Sequence, residues 1–176
     1  MKCSRMRGKK GTPHLHPDDP PRTRANKRRG RGTYANDRPP ILGTVGRKSQ
    51  QCRLRVVKDT KGQTLRAHVH QFTQVGAQVF TDEYQSYNHL LRPHATVNHG
   101  EKEWARDDDG DGIREVHCNT IEGLWTDVRN FLRRFKGVHK KYLDGYLAIC
   151  EFRHNRDAIS PDLIAGLVAS THILCT

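Results

Sequence analysis

The sequence predicts a mixed α/β fold, and three features carry that expectation. Two short β-prone runs, ILGTVGR at 41–47 and CRLRVVK at 52–58, flank a polar turn at Lys48–Gln51 and read as a hairpin. Downstream, apolar runs at 77–83 and 95–99 alternate with stretches of helical spacing, which implies parallel strands joined by right-handed crossovers. The third feature is a long amphipathic stretch, His117–Lys136, around which the rest of the chain is organised.

Taken in order, residues 1–38 are rich in Pro, Gly and Arg (HPDDPPRTRANKRRGRG) and lack apolar periodicity, so they read as a disordered basic arm or loop. The character changes at Pro39, from which a core is expected to run to residue 155, with 156–176 as a tail. In the second hairpin strand Leu54 and Val56 alternate with Arg53 and Arg55, leaving one face wet. Leu65, Val69 and Phe72 fall at helical spacing within Thr64–Phe72, a crossover helix with Gly76 beyond its end. AQVFTDE at 77–83 follows as a short buried strand, Tyr84–Leu91 as a short helix, and ATVNH at 95–99 as a further strand. Tyr142, Leu143, Tyr146, Leu147 and Cys150 mark another amphipathic helix to about His154, and Ser160–Thr176 reads as a loose helix or tail.

In the organising stretch Ile121, Leu124, Trp125, Val128, Phe131, Leu132 and Phe135 share one apolar face. Glu122, Thr126, Arg129 and Arg133 fall on a narrow stripe opposite. An acid at the helix entrance followed by aligned cations suits a metal or phosphate site beside a nucleic-acid contact. The same residues also suit a plain capped helix, with Asn119 as N-cap, Glu122 completing a capping box, and the arginines solvated.

At 176 residues the chain is long enough for one core plus an arm. Its 31 Lys and Arg against 19 Asp and Glu give a net charge of +12, which points to a polyanionic partner. Residues 1–36 hold eleven Lys or Arg and two Asp, so 11 − 2 = +9 of that charge lies in the arm, Lys27, Arg28 and Arg29 included. Five scattered cysteines without a CxxC pair argue against a disulfide framework or zinc knuckle and fit a reducing, cytoplasmic setting. No apolar run approaches a membrane span, and the opening MKCSRMRGKK lacks the apolar region of a secretion signal.

Asp82 ends the apolar run AQVF, where a strand's carboxyl end would present a carboxylate to solvent; the plain alternative is a turn residue before Tyr84. A strand-end Asp with a helix-start Glu or Asn could hold Mg²⁺, which takes a few carboxylates and keeps several waters. Glu83 would point the other way. His94, His99 and His117 lie near element ends but lack a paired base or nucleophile and read as surface histidines. DDDGDG at 107–112 resembles the start of a calcium loop, yet its twelfth position is Cys118 instead of Glu, so a solvated loop is the simpler reading.

TDEYQSY at 81–87, HATVNHGEKEW at 94–104, NTIEGLWTDVRNFLR at 119–133 and YLDGYLAICEFRHN at 142–155 together resemble the integrase core of the ISXO-like insertion-sequence transposases. The resemblance covers about Pro39 to Asn155 and implies an RNase H-like fold, DDE chemistry dependent on Mg²⁺ or Mn²⁺, and DNA element ends and target DNA as partners, with self-association possible. By that resemblance Asp82 matches the second catalytic and metal-binding Asp, Asn119 and Glu122 are both candidates for the third position, and Arg129 meets DNA phosphate. Arg133 and Arg134 extend the same basic surface.

One part of the pattern is missing. The family's first catalytic Asp lies in a D-E-x-Y-like motif on the first strand, and nothing before Pro39 matches it. MKCSRMR can be encoded so that the same DNA, read one nucleotide earlier after a G, gives D-E-M-F-Q-N-A. This implies a frameshifted or truncated copy with an incomplete first strand. The resulting expectation is a transposase core that lacks one of three ligands. The alternative is a non-catalytic basic DNA-binding remnant that pairs with or inhibits full-length enzyme. An RNA-processing nuclease would need further acids on the first strand, which are absent.

Overall fold

The expected hairpin forms, with β1 (Ile41–Val45) antiparallel to β2 (Cys52–Val56), Ile41 opposite Val56 and Val45 opposite Cys52. The computed structural model describes residues 32–156 together with Asp18, Ser160 and Pro161. Lys27, Arg28, Arg29 and nearly all of the basic arm, together with the segment beyond Pro161, lie outside the described residues. As the alternation requires, Cys52 and Leu54 are buried while Arg55 is exposed. Gly43 is needed by close approach, because a Cβ there would sit 3.0 Å from both Leu54 and the Trp125 ring.

The outer edge of β2 is closed by side chains. The helix α3 (Leu143–His154) and the residue after it place Asp144, Glu151 and Asn155 along one face. Val56 N–H donates to Asp144 Oδ1 at 3.1 Å, Leu54 N–H to Glu151 Oε2 at 2.8 Å and Cys52 N–H to Asn155 Oδ1 at 2.7 Å. Backbone groups that would otherwise need a neighbouring strand are thereby satisfied.

The crossover helix α1 runs from Gly62 to Phe72 and buries Leu65, His68 and Val69. It leads to β3 (Val79–Asp82), which pairs parallel with β4 (His94–Val97), Val79 opposite His94 and Asp82 opposite Val97. The helix expected at Tyr84–Leu91 is only one 3₁₀ turn, Gln85–Tyr87. Pro93 disfavours helical backbone at Arg92, and Asn88 and His89 add little helix propensity, so nothing sustains further turns.

The organising helix α2 is shorter than its pattern, Asn119–Arg133 instead of His117–Lys136. His117 belongs to β6 (Val116–His117), which pairs antiparallel with β5 (Ala105–Arg106), a small hairpin whose strands are too short to show periodicity. Asn119 is therefore the first helical residue, Cys118 occupies the cap position without a side-chain cap bond, and the anticipated capping box does not form. The Asn119 N–H donates instead to His117 Nδ1 at 3.3 Å. At the other end, Lys136 and Gly137 take positive φ and stop the helix.

The apolar face of α2 packs Leu124, Val128 and Leu132 against Ile41, Cys52 and Leu54 of the hairpin and Leu143, Leu147 and Cys150 of α3. A smaller core joins Val97, Val116 and Cys118, with Ile121 touching both clusters. Cys52, Cys118 and Cys150 are free and buried, and no helix of the described residues is long and apolar enough to cross a membrane.

The mixed α/β character holds, but one continuous mixed sheet does not form among the described residues. They make three two-stranded sheets, β1–β2, β3–β4 and β5–β6. β1 and β3 each keep an edge that no described strand pairs. Arg47, just after β1, bridges the pieces: its guanidinium lies 3.8 Å from the Phe80 ring centroid and donates to the carbonyls of Glu115 and His117.

Candidate active site

Asp82 is the last residue of β3, exposed at the carboxyl end of the parallel pair. Its Oδ1 accepts the Tyr84 N–H at 3.2 Å, so the turn role and the exposed carboxylate coexist in one side chain. A shallow hollow of about 330 Å³ lined by Asp82, Glu83, Tyr84, Gln85 and Ser86 opens beside it.

The start of α2 reaches the same place. The Cys118 thiol is pushed up to about 11, first by burial and then by the carboxylates of Asp82 and Glu122. Tyr87 is pushed up to about 12 by burial and by Asp82. Val97, which stands opposite Asp82, packs with Cys118 in the smaller core, so α2 begins beside the end of β3, and Asn119, the next residue along, is exposed. Glu122 is 57% exposed, with Oε1 3.5 Å from His99 Nε2. Glu83 is occupied elsewhere, accepting the N–H groups of His99 at 3.1 Å and Gly100 at 3.3 Å. Backbone donors, those of His99 and Gly100 among them, hold its carboxyl below the usual range.

Arg129 and Arg133 on α2 and Arg134 just after it are exposed, and Arg133 donates to Asn130 at 3.4 Å. At the helical rise Arg129 and Arg133 lie about 10 and 16 Å along the axis from Glu122. A polyanion following that stripe would lead to the acids.

The three histidines are half-buried, not on the surface. His94 Nε2 lies 2.8 Å from Thr81 Oγ1, and burial pulls its pKa down. His117 is pulled down by burial and then by Arg47. Sequence reasoning missed Arg47, which fixes the strand leading into Asn119. It closes an alternating β run with no motif around it, and only the fold brings Glu115 and His117 to it.

The tightest acidic cluster among the described residues is elsewhere: ligand oxygens of Asp107, Asp109 and Glu115 lie within 4.8 Å of one another. Asp107 spends both oxygens on the N–H groups of Gly110 at 2.6 Å and Gly112 at 2.9 Å, and Glu115 Oε1 accepts from Asp108 at 2.9 Å. These bonds make a self-tied loop. At the β3–α2 edge the donors are an exposed carboxylate, an exposed amide and a second carboxylate, a hard-oxygen set that fits Mg²⁺ or Mn²⁺.

Residues 13–155 match the ISXO2-like transposase domain, a span that begins within the basic stretch. A Halobacterium salinarum protein described as an uncharacterized protein in transposable element ISH50 is 30% identical over 140 residues, 77% of this chain and 45% of that protein. A Haemophilus influenzae protein described as an uncharacterized transposase-like protein is 26% identical over 113 residues, 61% of this chain and 84% of its own length. The chain thus spans less than half of the first relative and most of the second. No solved structure matches it. With four fifths of its length inside the domain match, the chain belongs to the ISXO2-like transposase family.

Proposed function

We propose that the chain carries the catalytic core of a DDE-type transposase acting on the ends of an insertion sequence. Asp82 and the first turn of α2 are two of its metal-ligand positions. The observation that carries this reading is that Asp82, at the carboxyl end of the parallel pair, stands opposite Val97, which packs in one small core with Cys118 at the start of α2. Asp82 supplies an exposed carboxylate, and Asn119 or Glu122 supplies the facing oxygen. These residues would hold a Mg²⁺ or Mn²⁺, which would supply Lewis-acid charge for an attacking and a leaving oxygen. Arg129, Arg133 and Arg134 hold the phosphates of element-end and target DNA, and Lys27, Arg28 and Arg29 add sequence-independent attraction.

Neither β1 nor β2 bears an acid, and β1 and β3 each keep an edge that no described strand pairs. This favours a second reading for the 176-residue polypeptide taken alone: it binds DNA without cutting it, as a basic remnant able to associate with complete enzyme. The test is strand cleavage of a plasmid carrying the cognate element ends, with Mg²⁺ or Mn²⁺. The chain is compared with a version whose opening residues are replaced by D-E-M-F-Q-N-A. Cleavage by the replaced version alone supports both statements. Metal-dependent nicking by the unmodified chain that disappears in Asp82→Ala means another acid fills the missing role, and the remnant reading fails.

A further inference from the structure

His99 connects the two halves of the candidate site. Its backbone N–H donates to Glu83 Oε2 at 3.1 Å, and Glu83 is the neighbour of Asp82. Its ring Nε2 lies 3.5 Å from Glu122 Oε1, one helical turn beyond Asn119. One face of the ring packs on Trp104, centroids 5.1 Å apart, and Nδ1 is buried with no hydrogen-bond partner. Swinging the ring out would give up the Trp104 contact. On the other side, Glu83 grips two successive N–H groups, His99 and Gly100, with its two oxygens.

We infer that Glu83, His99 and Glu122 form a strut that sets the distance between Asp82 and Asn119, with His99 as its central positioning residue. The strut rests on the reading of Asp82 and the start of α2 as a metal site. The physical need is clear. Asp82 and Asn119 sit on separate elements, and an ion with oxygen ligands at about 2.0–2.1 Å tolerates little error in their separation. Groups that orient ligands without touching the ion typically contribute 10- to 100-fold in metal affinity. The strut also gives Glu122 a role as the partner of His99, which leaves Asn119 as the residue of the first turn that faces the ion.

The test uses Tb³⁺ as a hard, oxygen-seeking probe of the full chain. Its emission is sensitised by Trp104, which is 62% exposed beside His99. The Asp82-dependent site is the part of the binding lost in Asp82→Asn. His99→Phe keeps the ring on Trp104, costs no bond at the unpartnered Nδ1, and removes only the Nε2 contact. It should weaken the Asp82-dependent site about 10- to 100-fold, while the melting temperature stays within a few degrees. His99→Gln, which can still donate to Glu122, should restore affinity to within about threefold. His99→Phe combined with Glu122→Ala should be no weaker than either change alone, because both cut the same strut. Wild-type affinity in His99→Phe, or full additivity of the pair, overturns the strut. If Asp82→Asn binds Tb³⁺ like the wild type, the metal-site reading itself has failed, a result separable from a failure of the strut alone.

Discussion

Asn155 pairs with Cys52 as a neighbouring strand would, its Oδ1 accepting the Cys52 N–H at 2.7 Å and its Nδ2 donating to the Cys52 carbonyl at 2.9 Å. With Glu151 on Leu54 and Asp144 on Val56, it turns the end of α3 into a substitute sheet edge. The Glu and Asn near the end of the YLDGYLAICEFRHN stretch are thus an architectural device. Asn155→Ala would leave the Cys52 N–H without a partner, while the Cys52 carbonyl still accepts from Arg53 Nη1 at 2.9 Å, costing about 2 kcal/mol of stability. Urea unfolding measures this. A midpoint equal to that of the unmodified chain would show that water replaces the amide at no cost.

DNA binding should be sequence-independent and steeply salt-dependent, since +9 of the +12 charge lies in residues 1–36 and three further arginines stand exposed at the end of α2 and just beyond it. Each phosphate contact contributes about 0.9 to the slope of log affinity against log salt on duplex DNA. Arg129→Ala and Arg133→Ala should each lower the slope by about that amount, and deletion of residues 1–38 by several times as much. An unchanged slope after the deletion would make the arm a bystander.

Stability should fall on mild acidification through His68. Its pKa is lowered to about 4, by burial first and then by Arg55, from an ordinary 6.5. The unfolded chain therefore binds the proton more readily between those values. The stabilisation from the neutral, buried ring is complete above about pH 6.5 and is lost as pH falls toward 4, on the order of 3 kcal/mol. Replacing His68 with Phe, which keeps a ring against Phe72, should flatten that limb in melts recorded across the range. An equally steep limb in the variant would place the titration elsewhere.

The hairpin, the parallel β3–β4 pair and the buried face of α2 were legible because each rests on local periodicity: alternation in CRLRV, apolar runs ending at Asp82 and Val97, and the Leu124–Val128–Leu132 spacing. The juxtaposition of Asp82 with the start of α2 followed from the family pattern. What escaped were side chains acting across the fold. The sequence reads Asn119–Glu122 as a capping box because the local spacing fits one. In the structure His117 enters a strand, and His99, twenty-three residues before Glu122, brings its Nε2 within 3.5 Å of that carboxylate. Arg47 on the His117 carbonyl and Asn155 on Cys52 are contacts of the same kind, separated by 70 and 103 residues. No window of sequence contains both partners.

The most direct test of the metal site is paramagnetic line broadening by substoichiometric Mn²⁺ in amide spectra of the isotopically labelled chain, because it detects weak ion binding residue by residue. The amides of Thr81–Glu83 and Asn119–Glu122 should broaden together, and that broadening should vanish in Asp82→Asn while persisting in Asp107→Asn. Broadening confined to residues 107–115, abolished by Asp107→Asn and indifferent to Asp82→Asn, would place the ion in the self-tied acidic loop and contradict a catalytic metal site between β3 and α2.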